Sequence, residues 1–158
     1  MSEVTEQIKS EYTRNEKKLI SLLNATPADK LEWSPSPSAR TVIELGAHCA
    51  MGTTGITGLL KGEPMRFENT AELDASLRQM EKQFKSLDVV LGMVKQSGEE
   101  YFAFLDSLDA DQIHAIVNTP MGAMPLSVAA TFPCEHMKCH VAQIEYVQTI
   151  WGDHEWRS

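Results

Sequence analysis

The sequence lacks the features that mark membrane-spanning and secreted proteins. No apolar run approaches the roughly 20 residues that a helix needs to cross a bilayer. Residues 1–7 do not show the basic and then apolar pattern of a signal peptide. We therefore expect a cytoplasmic protein without a membrane partner.

Cysteine and basic residues are also scarce. The three cysteines, Cys49, Cys134 and Cys139, are an odd number without C-x-x-C spacing, which favours free thiols over a disulfide framework. Each is expected to be a small buried hydrophobe. The 14 basic residues are outnumbered by 22 acidic ones, and the formal net charge is −8. Because nucleic acids attract basic surfaces, this balance predicts no nucleic-acid partner.

What is present suits a single helical domain over residues 1–158. Hydrophobic residues make up 42% of the chain, which is enough for one packed core. Apolar residues recur at helical spacing in four long segments, and strand-like alternation is not evident. The pattern predicts an all-α four-helix bundle. Its main helices are expected at residues 3–24, from Ser38 or Thr41 to Lys61, at 87–108 and at 126–151.

The connections between these helices carry their own signals. A long crossover between the second and third helices covers residues 62–86 and includes a short helix at about 71–84. A turn or short hairpin is expected within residues 109–124. Thr41 and Glu44 form a capping-box pattern at the start of the second helix, with Ser38 as the alternative cap. Pro133 is expected to kink the last helix one turn before His136.

Two histidines in the predicted last helix have the spacing of a metal site. His136 and His140 stand four residues apart and therefore share one helical face, together with Gln143. Two stacked imidazoles can bind one metal ion, and imidazole suits zinc, nickel, iron and copper. The alternative is a coincidental spacing, with one histidine exposed and the other hydrogen-bonded in the core. The chain has no H-E-x-x-H motif, so a zincin-type protease is not supported.

A third ligand is predicted from the second helix, because a bundle can bring that helix against the last one. His48 lies in its middle, and a hydrogen-bonded core histidine is the alternative. Glu44, one turn earlier, is a candidate to orient His48 or to act as a general base. The alternative for Glu44 is an ordinary solvated acid at a helix start.

Glycines and the remaining histidines complete the pattern. Gly52 and Gly55 share the face of His48, so the absent side chains leave room for a ligand or permit close helix–helix approach. The two explanations are left open. Among the cysteines, only Cys139 has a helical angle that approaches the histidine face. His114 and His154 are expected at the surface.

These motifs resemble those of the DinB-like family of metal-dependent four-helix-bundle proteins. The resemblance covers almost the whole chain. It rests on L-E-W-S-P at residues 31–35, R-T-V-I-E-L-G-A-H at 40–48, E-H-M-K-C-H-V-A-Q at 135–143 and Y-V-Q-T-I-W-G at 146–152. The resemblance implies a metal triad of His48, His136 and His140, a zinc or nickel ion, a crossover between helices two and three, and a homodimer.

The resemblance also suggests chemistry, because some relatives are transferases or isomerases that use a low-molecular-weight thiol. A metal-bound thiol would have a lowered pKa and would act as a nucleophile near neutral pH. We therefore expect a metalloenzyme that acts on a small molecule, with Glu44 and Gln143 as candidate catalytic residues. A metal-dependent hydrolase and a non-catalytic metal-binding or structural bundle are the alternatives.

Overall fold

Long helices form most of the structure, a computed structural model that describes residues 3–64 and 67–157. The described helices are α1 (Glu3–Ala25), α2 (Val42–Leu60), α3 (Thr70–Glu81), α4 (Leu87–Asp106), α5 (Leu126–Ala129) and α6 (Phe132–Ile150). A 3-10 turn at Gln112–His114 precedes an antiparallel hairpin of β1 (Ile116–Thr119) and β2 (Gly122–Pro125). The predicted all-α four-helix bundle is therefore confirmed, and the hairpin lies where a turn or hairpin was expected.

The four long helices pack as a closed square. α2 packs against α4 and α6, and α1 packs against the same two helices from the opposite corner. The long connection between α2 and α4 carries α3, which also contacts α2. This is the expected crossover, of which residues 65 and 66 lie outside the described residues. Within the described residues, no helix combines the length and apolar character that a membrane span requires.

The first half of α2 is enclosed by the rest of the protein, and Val42 to Ala50 are all buried. Its first turn has a capping box: Thr41 Oγ1 accepts a hydrogen bond from the Glu44 amide at 3.2 Å, and Glu44 Oε2 accepts one from the Thr41 amide at 2.9 Å. The predicted box is confirmed, and Thr41 rather than Ser38 is the cap.

The last predicted helix is in fact two helices, which corrects the expectation of one kinked helix. α5 ends at Ala129, and α6 begins at Phe132 after a short break. The Tyr101 hydroxyl donates a hydrogen bond to the Ala130 carbonyl, which is part of that break. Pro133 lies in the first turn of α6, where a missing amide N–H removes no helical hydrogen bond. The proline therefore starts a helix instead of kinking one.

The cysteines divide into two groups. Cys49 and Cys134 are buried, as predicted, whereas Cys139 is exposed. The expectation that all three are buried is therefore wrong for Cys139. The reason is its position on α6: Met137 and Val141 point into the core, and Cys139 lies between them on the side that faces solvent.

Candidate metal centre

Three histidine rings meet where α2 packs against α6. His48 comes from α2, and His136 and His140 come from successive turns of α6. The Nε2 atom of His136 lies 3.1 Å from His48 Nε2 and 3.2 Å from His140 Nε2. His48 is buried, and the other two rings are half-buried. Residues 88 positions apart in the chain are thus brought to one point by helix packing.

His48 is fixed from outside by a carboxylate of the crossover helix. Its Nδ1 atom lies 2.6 Å from Glu81 Oε1, and the Glu81 side chain is almost fully buried at 1% exposure. Arg40 donates from Nε to Glu81 Oε2 at 2.7 Å and from Nη2 to Asp74 Oδ1 at 2.7 Å. The result is a chain of hydrogen bonds from α3, through Arg40 and Glu81, to the His48 ring.

Gln143 holds the His140 ring in the way that Glu81 holds the His48 ring. The Nδ1 atom of His140 lies 2.8 Å from Gln143 Oε1, one turn along α6. An Nδ1–H group that donates to a carboxylate or amide oxygen leaves Nε2 as a bare lone pair. His48 and His140 therefore both direct Nε2 lone pairs towards His136.

His136 is positioned by packing rather than by an outer hydrogen bond. Its Nδ1 atom is buried and has no hydrogen-bond partner among the described residues. The ring lies against the backbone of α2 at Gly52, where an added Cβ would come within 2.4 Å of His136 Cε1. An added Cβ at Gly55 would meet nothing within 4 Å. The missing side chain of Gly52 therefore leaves space for the His136 ring, whereas a Cβ atom at Gly55 would not contact that ring.

The surroundings keep the α6 imidazoles neutral. Burial, followed by the neighbouring rings of His140 and His48, lowers the pKa of His136 to about 3. Burial also lowers the pKa of His140, against the opposing effect of its hydrogen bond to Gln143. For Glu81, burial would raise the pKa, but the hydrogen bonds from His48 and Arg40 outweigh it and the pKa is lowered. Neutral imidazoles beside an ionised carboxylate are the protonation states that metal binding requires.

The donor set fits a divalent metal ion better than it fits hydrogen bonding alone. A single proton on His136 Nε2 can satisfy one neighbouring lone pair but not both. A tetrahedral zinc ion with Zn–N distances of about 2.0–2.1 Å separates its ligand atoms by roughly 3.3–3.4 Å. The observed separations of 3.1 and 3.2 Å are close to that spacing. The residues present therefore suit such an ion.

The other predicted residues are more dispersed. The Glu44 carboxylate is engaged by the Thr41 amide, so Glu81 and not Glu44 is the partner of His48 Nδ1. A general-base role for Glu44 stays a prediction. His114 and His154 are exposed, as expected.

Glu81 and Arg40 are the site residues that the sequence analysis did not identify. Glu81 is 33 residues from His48, and no fixed spacing links the two. The sequence does offer one signal for such a partner: a carboxylate on a helix of the crossover, next to a helix that carries a candidate ligand. That signal does not select Glu81 from the other acids of α3.

Known structures and families provide an independent comparison. Residues 11–144 match the sequence model of the DinB superfamily. The fold is similar to that of an uncharacterised protein from Clostridium difficile 630, at 15% identity and a TM-score of 0.77 over 95% of this chain and 98% of that one. It is also similar to a mycothiol-dependent maleylpyruvate isomerase, at 13% identity and a TM-score of 0.72 over 91% of this chain and 63% of the isomerase.

A third similar structure is the colibactin self-resistance protein ClbS in complex with double-stranded DNA, at 13% identity and a TM-score of 0.69 over 92% of this chain and 95% of that one. Identities this low establish a common fold and no shared activity. A comparison with curated proteins gives no match. The family model covers most of the chain and agrees with the fold. The chain therefore belongs to the DinB superfamily.

Proposed function

We propose that this protein is a metal-dependent enzyme in which His48, His136 and His140 hold one divalent ion, with zinc or nickel as the first candidates. The proposal rests on one observation, the convergence of three Nε2 atoms at separations of 3.1 and 3.2 Å. We further propose that it transfers or isomerises a small molecule with the help of a low-molecular-weight thiol. The fold shared with a mycothiol-dependent maleylpyruvate isomerase supports that choice.

Each residue of the site has a definable task. When bound, a divalent ion supplies Lewis acidity, which lowers the pKa of a thiol or water that occupies an open coordination position. Glu81 and Gln143 hold the rings of His48 and His140 in the tautomer that presents Nε2. Burial keeps His136 unprotonated at neutral pH, so that its ring remains a ligand. Gly52 provides the space that this ring occupies.

We also propose a small-molecule partner, a cytoplasmic location and a homodimer, of which the homodimer follows from the resemblance to the DinB-like family. The proposal does not include DNA binding, although the similar protein ClbS has been solved with double-stranded DNA. The net charge of −8 opposes association with a polyanion. Retention of labelled duplex DNA at physiological salt would show that this part of the proposal is wrong.

Metal content is the decisive first experiment. The purified protein, stripped with a chelator and reloaded with zinc or nickel, is expected to retain about one ion per chain after desalting. A His136→Ala variant is expected to lose the ion, and a His154→Ala variant, which removes an exposed histidine, is expected to keep it. Absence of metal in the wild-type protein at every loading would leave the non-catalytic bundle as the better description.

Activity with thiols is the second experiment. The metal-loaded protein is assayed with an electrophilic acceptor and a panel of glutathione, mycothiol and bacillithiol. Thiol-dependent turnover that disappears with the metal supports the proposal. Metal-dependent cleavage of ester or amide substrates without a thiol would favour the hydrolase instead.

A further inference from the structure

A cavity of about 440 Å³ is lined by the residues that lead into α2, by the first turn of α2, by Arg78 of α3 and by the second half of α6. Gln143 belongs to both places, because it lines the cavity while its Oε1 atom accepts a hydrogen bond from His140 Nδ1. Arg40 also belongs to both, because it lines the cavity and holds Glu81 against His48. The cavity therefore adjoins the candidate metal centre through two residues that orient its ligands.

Two guanidinium groups in the lining of this cavity each have a nitrogen that remains available as a hydrogen-bond donor. Arg40 uses Nε and Nη2 for Glu81 and Asp74, and Arg78 uses Nε and Nη1 for Asp74 and the Ser38 carbonyl. In the part of the chain that the structure describes, Arg40 Nη1 and Arg78 Nη2 have no partner. Neither nitrogen is a buried donor without a hydrogen-bond partner, so neither is closed to solvent.

Two further residues of the lining carry side-chain hydrogen-bond donors. Gln143 directs its amide oxygen to His140, which leaves the amide NH₂ group without a partner among the described residues. Tyr146, at 71% exposure, also lines the cavity and carries a phenolic hydroxyl. Leu45 and Val147 supply apolar walls. The combination of several N–H or O–H donors with apolar walls suits a small organic anion.

The lining is unusual for a chain with this charge. Acidic residues exceed basic ones by 22 to 14, yet the described lining of the cavity contains two arginines and no acid. Asp74 and Glu81 pair with the two guanidinium groups, and their oxygens are already engaged. Selectivity for an anion would therefore come from the unused N–H groups rather than from a net positive field.

We propose that this cavity is a carboxylate subsite, in which Arg40 Nη1 and Arg78 Nη2 bind the acid group of a molecule that reacts at the adjacent metal centre. The statement that the bound molecule reacts at the metal centre rests on the proposed function. The statement that the cavity binds a carboxylate does not. The carboxylate belongs either to the thiol or to the acceptor substrate, since both can carry this group. The ligand is accordingly a small acid with a short apolar segment.

A series of synthetic thiols tests the subsite. Calorimetry on the zinc-loaded protein compares ω-mercapto acids, from 3-mercaptopropionate to 6-mercaptohexanoate, each with the mercapto alcohol of the same length. At the length that spans the two sites, the acid is expected to bind about tenfold more tightly than the alcohol, because it gains charge-assisted hydrogen bonds. The preference is expected to fall in Arg78→Gln and to be partly restored in Arg78→Lys, with the alcohol affinity and the zinc content unchanged.

A second measurement does not involve zinc. Ligand-observed NMR follows butyrate with the metal-free protein, and binding is expected to weaken several-fold in Arg78→Gln. Arg14→Gln is the matched control, because it removes the same charge from an exposed residue outside the cavity and is expected to change neither result. Tyr146→Phe is expected to have a smaller effect than Arg78→Gln, because it removes one neutral donor.

The outcomes separate the possible sources of the acid group. A preference for the mercapto acids assigns the carboxylate to the thiol, whereas Arg78-dependent butyrate binding without that preference assigns it to the acceptor substrate. The subsite is overturned if the acids show no preference at any length and butyrate binding does not depend on Arg78. A protein that binds butyrate through Arg78 but holds no metal would retain the subsite and contradict the proposed function.

Discussion

Two groups of side chains in this molecule each bring nitrogen, oxygen or sulfur atoms close together, and they differ in how those atoms are oriented and protonated. The histidine triad and a cluster of Glu11, Cys134 and Glu135 each bring three ligand atoms within 4.8 Å of one another. In the triad, two rings are oriented by Glu81 and Gln143. In the acid–thiol cluster, Glu135 is exposed and pairs with Lys138 at 3.7 Å.

The ligand atoms of the two groups also differ in protonation. Burial raises the pKa of the Cys134 thiol, and the charges of Glu11 and Glu135 add to that effect despite a hydrogen bond from Asn15. A protonated thiol is a poor ligand, because thiolate is the form that binds metal. The imidazoles of His136 and His140 are instead held in their binding form. Proximity alone therefore does not define a metal site; orientation and protonation decide.

The largest expected difference between the two groups is the effect of removing one ligand. His48→Ala is expected to weaken zinc binding by more than the roughly 10–100-fold that the loss of an outer partner causes. Cys134→Ala is expected to leave zinc affinity unchanged. Competition titration with a chromogenic chelator measures both. Equal losses in the two variants would mean that the cluster, and not the triad alone, takes part in binding.

The outer partner of His48 is expected to have the next largest effect. Glu81→Gln presents an amide where His48 Nδ1–H and Arg40 require an acceptor, so one of these donors loses its partner. We expect zinc affinity to fall about 10–100-fold, as is usual for such partners. Glu32→Gln, which removes an exposed carboxylate paired with Lys85, is the control and is expected to have no effect. An unaltered affinity in Glu81→Gln would show that packing alone orients His48.

The two glycines of α2 offer a matched pair of smaller changes. Gly52→Ala forces the His136 ring to move and is expected to lower zinc affinity about tenfold, as overpacking by one methyl group costs about 1–3 kcal/mol. Gly55→Ala has open space and is expected to raise the free energy of unfolding by about 1 kcal/mol through helix propensity. Metal titration and thermal unfolding test the pair, and similar behaviour of the two variants would refute the role given to Gly52.

The smallest expected effect concerns the thiols. At pH 8, iodoacetamide is expected to modify exposed Cys139 first and to spare Cys134, since burial and a raised pKa leave little thiolate at that site. Modification of Cys134 should increase only as the pH rises further. Zinc is expected not to change its rate, which peptide mass spectrometry can follow. Protection of Cys134 by zinc would identify the acid–thiol cluster as a second site.

The features of the fold and site that the sequence predicts correctly are those that local residue spacing controls. The i, i+4 spacing of His136 and His140 places both rings on one face of α6, and the capping box fixes the start of α2. The kink predicted at Pro133 is wrong, because the effect of a proline depends on whether a helix has already begun before it. The break at Ala130, with its hydrogen bond from Tyr101, comes from tertiary packing.

The residues that hydrogen-bond to the histidine rings show the same limit of prediction from local spacing. Glu44 had two local roles open to it, and the capping box engages its carboxylate. Glu81 lies on a crossover helix whose position against α2 is set by packing and by the Arg40 hydrogen bonds, which no spacing rule encodes. Side chains that act across a long connection are therefore found only when the fold is known.

X-ray absorption spectroscopy of the zinc-loaded protein tests the central claim most directly. Three imidazole nitrogens are expected at about 2.0–2.1 Å from zinc, with no sulfur ligand in the protein without added thiol. A sulfur ligand at about 2.3 Å, or fewer than three imidazoles, would contradict this claim.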